Sequence, residues 1–241
     1  MAKKVLFPNG VPEGYSGEEE DPGFIMAILL YIATYLFPFL FIATTYFSVK
    51  NLFNNEYQLA ILFAFPFAWI AGDFISGIIH WLCDTYGSVD TPLFGHTLIR
   101  NFRSHHKYPK DICVSPLPFI VGYVAIVGLI TLPPLIFFMS KSPNSFIINI
   151  FAFTFAIITF LTVLTNQFHK WAHENEVPNW VTILQKNKII LSPSHHIFHH
   201  TNPFNSNYCI THGLTNPFLE KIGFFRNVEK TLSKIGINPS A

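Results

Sequence analysis

Residues 146–167 read FIINIFAFTFAIITFLTVLTNQ, and residues 168–173 continue the chain with FHKWAH. The first stretch contains no charged side chain, and a helix needs about 20 predominantly apolar residues to cross the hydrocarbon core of a bilayer. The pattern therefore predicts a transmembrane helix that is followed directly by two histidines, His169 and His173.

Three further stretches have the same apolar character, at residues 24–47, 57–80 and 116–139. Hydrophobic residues make up 50% of the chain and charged residues 12%, whereas soluble domains carry about 25% charged residues. We therefore predict an all-α integral membrane protein with four transmembrane helices and a cytosolic histidine-rich cap. The Pro133–Pro134 pair is expected to kink the third helix, to end it early or to form a re-entrant hairpin.

Net charge and cysteine content argue against several other classes of protein. The formal net charge is +1, so no bulk attraction to nucleic acid is expected. The three cysteines, Cys83, Cys113 and Cys209, are scattered and form no CxxC pair. The sequence therefore predicts neither a disulfide framework nor a zinc site built from thiolates.

The basic residues predict the orientation of the chain in the membrane. All but two of the 15 lysines and arginines lie in the N-terminal tail, the loop after the second span or the chain after the fourth; the exceptions are Lys50 and Lys141. Because cytoplasmic segments carry an excess of Lys and Arg, we expect both termini to be cytosolic. The predicted organisation is a flexible cytosolic tail at 1–23, a membrane domain with a two-metal site at 24–226 and a C-terminal tail at 227–241.

The histidines all fall on the cytosolic side of this topology, although only hydropathy and Lys/Arg were used to derive it. The spacing of His80 and Asp84, and of His169 and His173, is i, i+4, which places both members of a pair on one helix face. Adjacent histidines such as His105 and His106 point about 100° apart on a helix and can supply two different ions.

Nine side chains are the candidate metal ligands, which is too many for one ion and suits two ions with four or five ligands each. They are His80, Asp84, His105, His106, His169, His173, His196, His199 and His200. Imidazole suits iron, zinc, copper and nickel. Iron is favoured because a histidine-rich iron pair can activate dioxygen beside a lipid, but the residues alone do not distinguish the metals.

His195 and Asp73 are the candidate catalytic residues beside these ligands. His195 can be a ligand, a hydrogen-bond partner of a ligand, or only a neighbour. Asp73 lies within a predicted span, where an ionisable residue is costly and usually functional. It can orient a ligating histidine, or it can cap a neighbouring polar group. His96 and His212 are predicted to be packed residues outside the metal set.

The histidine blocks also resemble a known family. The blocks are GDFISGIIHWLCDTYGSVDTPLFG, LIRNFRSHH, TNQFHKWAH, SHHIFHH and YCITHGLTNPFLEKIGF. Their order and spacing resemble the Kua/CarF lipid desaturase family, which includes the plasmanylethanolamine desaturases and the plant plastid desaturases. The resemblance covers about residues 69–226, and it does not include His96 as a ligand.

The resemblance implies an oxygen-dependent oxidoreductase with two iron ions that are held by the histidine blocks and Asp84. The implied substrate is a membrane ether phospholipid, whose sn-1 alkyl chain gains a vinyl ether double bond to give a plasmalogen. No flavin or haem motif is present, so an external electron donor of the cytochrome b5 or ferredoxin type is expected. The expected location is the endoplasmic reticulum membrane in a eukaryote or the cytoplasmic membrane in a bacterium.

Two main alternatives remain open from the sequence, beside a hydroxylase that would use the same chemistry. The first is desaturation of an ester-linked acyl chain close to its carboxyl end, as in the plant relatives. The second is a non-enzymatic membrane metal-binding protein, for which further ionisable residues would be expected inside the spans. Apart from Asp73, the predicted spans have none.

Overall fold

The computed structural model describes residues 10–17, 21–92 and 94–240, and these residues form helices and loops without a strand. Four helices are long and apolar enough to cross a membrane, so the predicted all-α membrane architecture is confirmed. They are α1 (Phe24–Asn54), α2 (Ile61–Thr85, preceded by a 3₁₀ turn at Gln58–Ala60), α5 (Leu117–Lys141) and α6 (Phe146–His173).

The two long helices that carry candidate ligands, α2 and α6, extend past the predicted ends of their apolar stretches. Helix α2 ends at Thr85 rather than near residue 80, and α6 ends at His173 rather than near residue 167. Neither extension contains a proline or glycine that would end the helix. The His80–Asp84 and His169–His173 pairs are therefore held on continuous helices.

The prolines in the long helices do not end them. Helix α5 runs without a break past Pro133 and Pro134 to Lys141, so the expected early end and the re-entrant hairpin are both wrong. A freed carbonyl in a membrane helix can be satisfied by neighbouring groups. The third span is therefore a single helix.

The chain forms two compact units, and helices α2 and α6 contribute residues to both. One unit comprises Gly23–Asp73 and Pro116–Gln167. Its helices approach closely at small residues: a Cβ on Gly122 would meet Leu30, and one on Gly128 would meet the ring of Phe37. Large apolar side chains cover the outside of this unit, a surface that suits lipid rather than water.

The other unit comprises Met1–Pro22, Phe74–Ser115 and Phe168–Ala241, and it contains all eleven histidines. Its short helices are α3 (Arg100–Lys107), α4 (Asp111–Val114), α7 (Asn179–Lys186), α8 (Pro193–His196), α9 (Asn216–Lys221) and α10 (Phe224–Lys234), with a π-helical turn at Gly95–Ile99 before α3. The clustering of histidines that the topology predicted is therefore present in the fold.

An apolar cluster holds this histidine-bearing unit together. Its buried members are Trp81, Tyr208, Cys209, Leu219 and Phe225. The chain at Cys209 passes so close to α2 that a Cβ on Gly77 would overlap the cysteine sulfur. The cluster thereby joins the C-terminal helices to the part of α2 that carries His80.

Both predicted tails have contacts in their described parts. In the N-terminal segment, the Ser16 N–H donates to Asp111 Oδ1 at 2.9 Å, whereas residues 1–9 and 18–20 lie outside the described residues. At the C-terminus, the predicted boundary at 226 falls inside α10. The Ser240 N–H donates to the Thr85 carbonyl at 2.9 Å.

Candidate metal centre

Four of the nine candidate ligands meet around the carboxylate of Asp84. The Asp84 Oδ2 atom lies 3.3 Å from His80 Nε2, 3.2 Å from His106 Nε2 and 3.6 Å from His199 Nε2. Helix α2 provides the aspartate and His80, α3 provides His106, and the turn after α8 provides His199. Their donor atoms all lie within 4.8 Å of one another.

The other five candidate ligands meet around His173. Its Nε2 atom lies 2.9 Å from His105 Nε2, 2.9 Å from His196 Nε2 and 3.2 Å from His169 Nε2. The ring of His200 lies 4.7 Å from the ring of His173, centroid to centroid. These five donors also lie within 4.8 Å of one another.

Helical geometry explains how the histidines are divided between the two groups. Pairs at i, i+4 stay together, as in His169 and His173, because they share a helix face. Adjacent histidines separate: His105 joins the five-residue group and His106 the four-residue group. Adjacent His199 and His200 also separate, although they lie in the turn after α8 rather than on a helix.

Two main-chain carbonyls orient the rings of the four-residue group. The His80 Nδ1–H donates to the Tyr208 carbonyl at 3.1 Å, and the His199 Nδ1–H donates to the Ser206 carbonyl at 2.8 Å. A ring that donates from Nδ1 presents a lone pair at Nε2 when it is neutral. Both lone pairs therefore point toward the Asp84 carboxylate.

This arrangement fits a bound cation. Lone pairs that face a carboxylate repel it unless a positive charge lies between them. His80 Nε2, His200 Nε2 and both Asp84 carboxylate oxygens are buried, and none has a hydrogen-bond partner among the described residues. With a metal–nitrogen bond of about 2.1 Å, two ligands lie about 3.0 Å apart at a right angle and about 3.4 Å apart in a tetrahedron. The observed nitrogen–nitrogen distances of 2.9 to 3.2 Å are close to this range.

A comparison with protein families shows that residues 69–241 match the model of the lipid desaturase domain. The chain belongs to the lipid desaturase family. The predicted resemblance is therefore confirmed, and the lipid desaturase domain includes both groups of candidate ligands.

Relatives with curated names agree with this assignment. The chain is similar to plasmanylethanolamine desaturase of Myxococcus xanthus, with 37% identity over 174 residues, which is 72% of the chain. It is also similar to plasmanylethanolamine desaturase 1 of Mus musculus, with 38% identity over 177 residues, which is 71% of the chain. It is 32% identical over 197 residues, 80% of its length, to the chloroplastic fatty acid desaturase 4-like 1 of Arabidopsis thaliana. The chain therefore spans less than two thirds of the length of each of these relatives: 60%, 65% and 64%, in the order given. No solved structure has a significant match to the chain.

Burial keeps three of the candidate ligands, His105, His196 and His200, in the form that binds metal. Desolvation, followed by the neighbouring imidazoles, holds the pKa of His105 and that of His196 well below the ordinary value for histidine. The same causes lower the pKa of His200 to about 4. These rings are therefore neutral at pH 7, and a neutral imidazole is the form that binds metal.

The two candidate catalytic residues, His195 and Asp73, lie outside both groups. The His195 Nε2 atom accepts a hydrogen bond from the Asn216 side-chain amide at 2.9 Å. Asp73 is fully buried and is the last residue of the segment Gly23–Asp73, which belongs to the unit without histidines. Their catalytic role stays a prediction.

The two histidines that were excluded from the predicted set, His96 and His212, also lie outside the groups. His96 is exposed, so it is not the packed residue that the sequence predicted. Its exposed position makes it a useful control for the candidate ligands. His212 is buried, and its Nδ1 atom accepts from the Leu214 N–H at 3.1 Å.

Two supporting residues of the lipid desaturase domain were not found from the sequence. Arg103 donates to the carbonyls of Cys83, Tyr86 and Gly87 at 3.0 to 3.1 Å, at the end of α2. Asn216 donates to the Cys209 carbonyl at 2.8 Å and accepts from the Cys209 N–H at 2.9 Å. Both residues lie inside the histidine blocks quoted above, but they act on main-chain groups, which every residue has, so their partners could not be identified from the sequence.

Proposed function

We propose that the protein is an oxygen-dependent di-iron desaturase that converts the sn-1 alkyl chain of an ether phospholipid, plasmanylethanolamine, into the 1-alkenyl chain of a plasmalogen. The observation that carries the proposal is the convergence of nine donors into two neighbouring groups of four and five. The names of the two plasmanylethanolamine desaturase relatives support the choice of substrate.

Each turnover removes one hydrogen from C1 and one from C2 of the alkyl chain. Dioxygen takes up these two hydrogens together with two external electrons and two protons, so that two water molecules form for each double bond. The bound iron pair would supply the activation of dioxygen. At C1, the adjacent ether oxygen stabilises the electron deficiency that develops as hydrogen leaves.

The protein's own residues would hold and shield this chemistry. His80, Asp84, His106 and His199 would bind one iron, and the five histidines around His173 would bind the other. The carbonyls of Ser206 and Tyr208 orient two of the rings. Five of the nine candidate ligands are buried and the other four are partly buried, which would limit the access of bulk water and protect a reactive centre from side reactions.

The proposed setting follows from the distribution of charge and from the electron balance. Both termini and the histidine-bearing unit would face the cytosol, in the endoplasmic reticulum membrane of a eukaryote or the cytoplasmic membrane of a bacterium. The two electrons would come from a carrier of the cytochrome b5 or ferredoxin type.

A second candidate is desaturation of an ester-linked acyl chain, and the chloroplastic relative favours it. Both reactions would use the same centre, and they differ in the lipid that presents its chain. Analysis of the product lipid therefore decides between the two candidates.

The test is metal analysis of the purified protein, followed by an oxygen-dependent assay on a 1-O-alkyl-phosphoethanolamine lipid. We expect two irons per chain and a vinyl ether product. His199→Ala should lose both iron and product, whereas His96→Ala should keep both, because His96 is exposed and lies outside the two groups. Full activity of His199→Ala would refute the proposal, and a double bond only in ester-linked chains would support the second candidate.

A further inference from the structure

Helix α10 has one side that is already packed against the protein. Phe225 is 4% exposed and lies in the apolar cluster with Trp81 and Tyr208. The partly buried Val228 and Leu232 pack against the same cluster. A helix that binds a bilayer surface needs a free apolar side, and the apolar side of α10 faces protein.

The outward side of α10 is basic. Arg226, Lys230 and Lys234 are exposed, and their i, i+4, i+8 spacing places them along one helix face. None of the three forms an ion pair with another residue in the part of the chain that the structure describes. The acidic residue of this helix, Glu229, accepts instead from the Trp81 indole N–H at 2.7 Å.

The buried side of α10 is connected to the four-residue group through packed aromatic rings. The ring of Phe225 is 4.9 Å from that of Tyr208, centroid to centroid. The Tyr208 ring is in turn 5.5 Å from His199 and 5.8 Å from His80. Two aromatic side chains therefore connect the underside of α10 to two candidate ligands.

We propose that the exposed face of α10, formed by Arg226, Lys230 and Lys234, is the docking site for a one-electron carrier protein with an acidic surface. The inference rests on the proposed function, because each double bond consumes two external electrons. The carrier is oxidised by one electron at each docking event, and two events supply one turnover. Complementary charge chiefly raises the rate of encounter, which suits a carrier that must bind and leave repeatedly.

The test compares two double variants that change the net charge equally. Lys230→Glu/Lys234→Glu reverses the α10 face, and Lys186→Glu/Lys188→Glu reverses two exposed lysines at the end of α7. The iron-loaded protein in nanodiscs of zwitterionic lipid is mixed with the reduced, acidic soluble domain of a cytochrome b5 or with a reduced acidic ferredoxin. Stopped-flow absorbance then follows oxidation of the carrier.

We expect the α10 variant to lower the second-order rate constant at least about tenfold at low ionic strength, because steering by charge contributes factors of 10 to 10³. The difference should vanish near 1 M salt, where charges are screened within about 3 Å. The α7 variant should match the wild type, and dithionite should reduce all three proteins equally. In the wild-type protein, carbodiimide should cross-link Lys230 or Lys234 to carboxylates of the carrier. This cross-link does not require bound metal.

Equal rate constants for all three proteins, without cross-links to α10, would overturn the docking site. An effect that appears only in nanodiscs with anionic lipid would assign the basic face to lipid phosphates and would also overturn it. The reduction assay contains no alkyl lipid, so it separates the two proposals. If reduction depends on α10 but the separate assay on alkyl lipid gives no alkene, only the proposed reaction is rejected.

Discussion

Arg103 is predicted to position Asp84 through main-chain groups. Its guanidinium donates to the carbonyls of Cys83, Tyr86 and Gly87 at 3.0 to 3.1 Å, where α2 ends. The last carbonyls of a helix have no partner within it. Because Arg103 lies on α3 with the candidate ligand His106, these bonds fix α3 against the turn of α2 that carries the aspartate.

The expected cost of Arg103→Met follows from these three bonds. A hydrogen bond to a charged group contributes about 1.5–3 kcal/mol net, and partial exposure of the guanidinium lets water replace some of it. We expect a loss of about 3 kcal/mol in the free energy of unfolding. Loss of a group that orients metal ligands typically weakens metal binding about 10- to 100-fold, so the four-residue group should lose its ion first.

The assay is competitive removal of metal by a chelator, combined with thermal unfolding of the purified protein. Lys107→Met is the matched control, because it removes one positive charge from the exposed end of the same helix. Arg103→Lys should be intermediate, since an ammonium cannot reach three carbonyls in the fixed geometry of a guanidinium. If Arg103→Met retains both ions as firmly as Lys107→Met, the end of α2 does not position the aspartate and the reasoning is refuted.

Three further predictions concern packing and protonation. Gly77→Ala should lower the unfolding temperature and the metal content, because the Cβ of the new alanine would overlap Cys209 Sγ. The double variant Gly77→Ala/Cys209→Ala should recover part of both. No recovery in the double variant would contradict this account. Asn216→Ala should destabilise the protein by about 3 kcal/mol in denaturant unfolding, because it breaks two bonds to Cys209 and one to His195; an unchanged midpoint would show that water replaces these bonds. The pKa of His200 is about 4 in the folded protein and near 6.5 in the unfolded chain. Between these two pH values the unfolded chain binds more protons than the folded protein. The metal-free protein should therefore lose stability as the pH falls from about 6.5 to about 4. Equal stability at pH 7.5 and pH 4.5 would contradict the last prediction.

The sequence was sufficient for the parts of the fold that depend on periodicity. Hydropathy located the four spans, and i, i+4 spacing identified the pairs His80–Asp84 and His169–His173 that remain together. The separation of His105 from His106 also follows from helix geometry. These features depend on one segment at a time, so local rules are enough to predict them.

The remainder of the site depends on contacts between distant segments. Which group His199 or His200 would join depends on the path of the chain after α8, which no repeat encodes. Arg103 and Asn216 bind main-chain carbonyls, and every residue has a carbonyl, so the sequence does not reveal the partners. The packing of α10 was not predicted because its apolar residues pack with aromatic residues from distant segments, Trp81 and Tyr208.

The division of neighbouring histidines between the two groups has a consequence for how metal enters. His105 and His106 are joined by one peptide bond, as are His199 and His200, yet each pair serves both groups. When an ion fixes His106 and His199, it also restricts the backbone that carries His105 and His200, and the entropic cost of ordering the second group is then already met. Metal binding should therefore be cooperative. With limiting iron, most molecules should hold either no iron or two irons, and few should hold one.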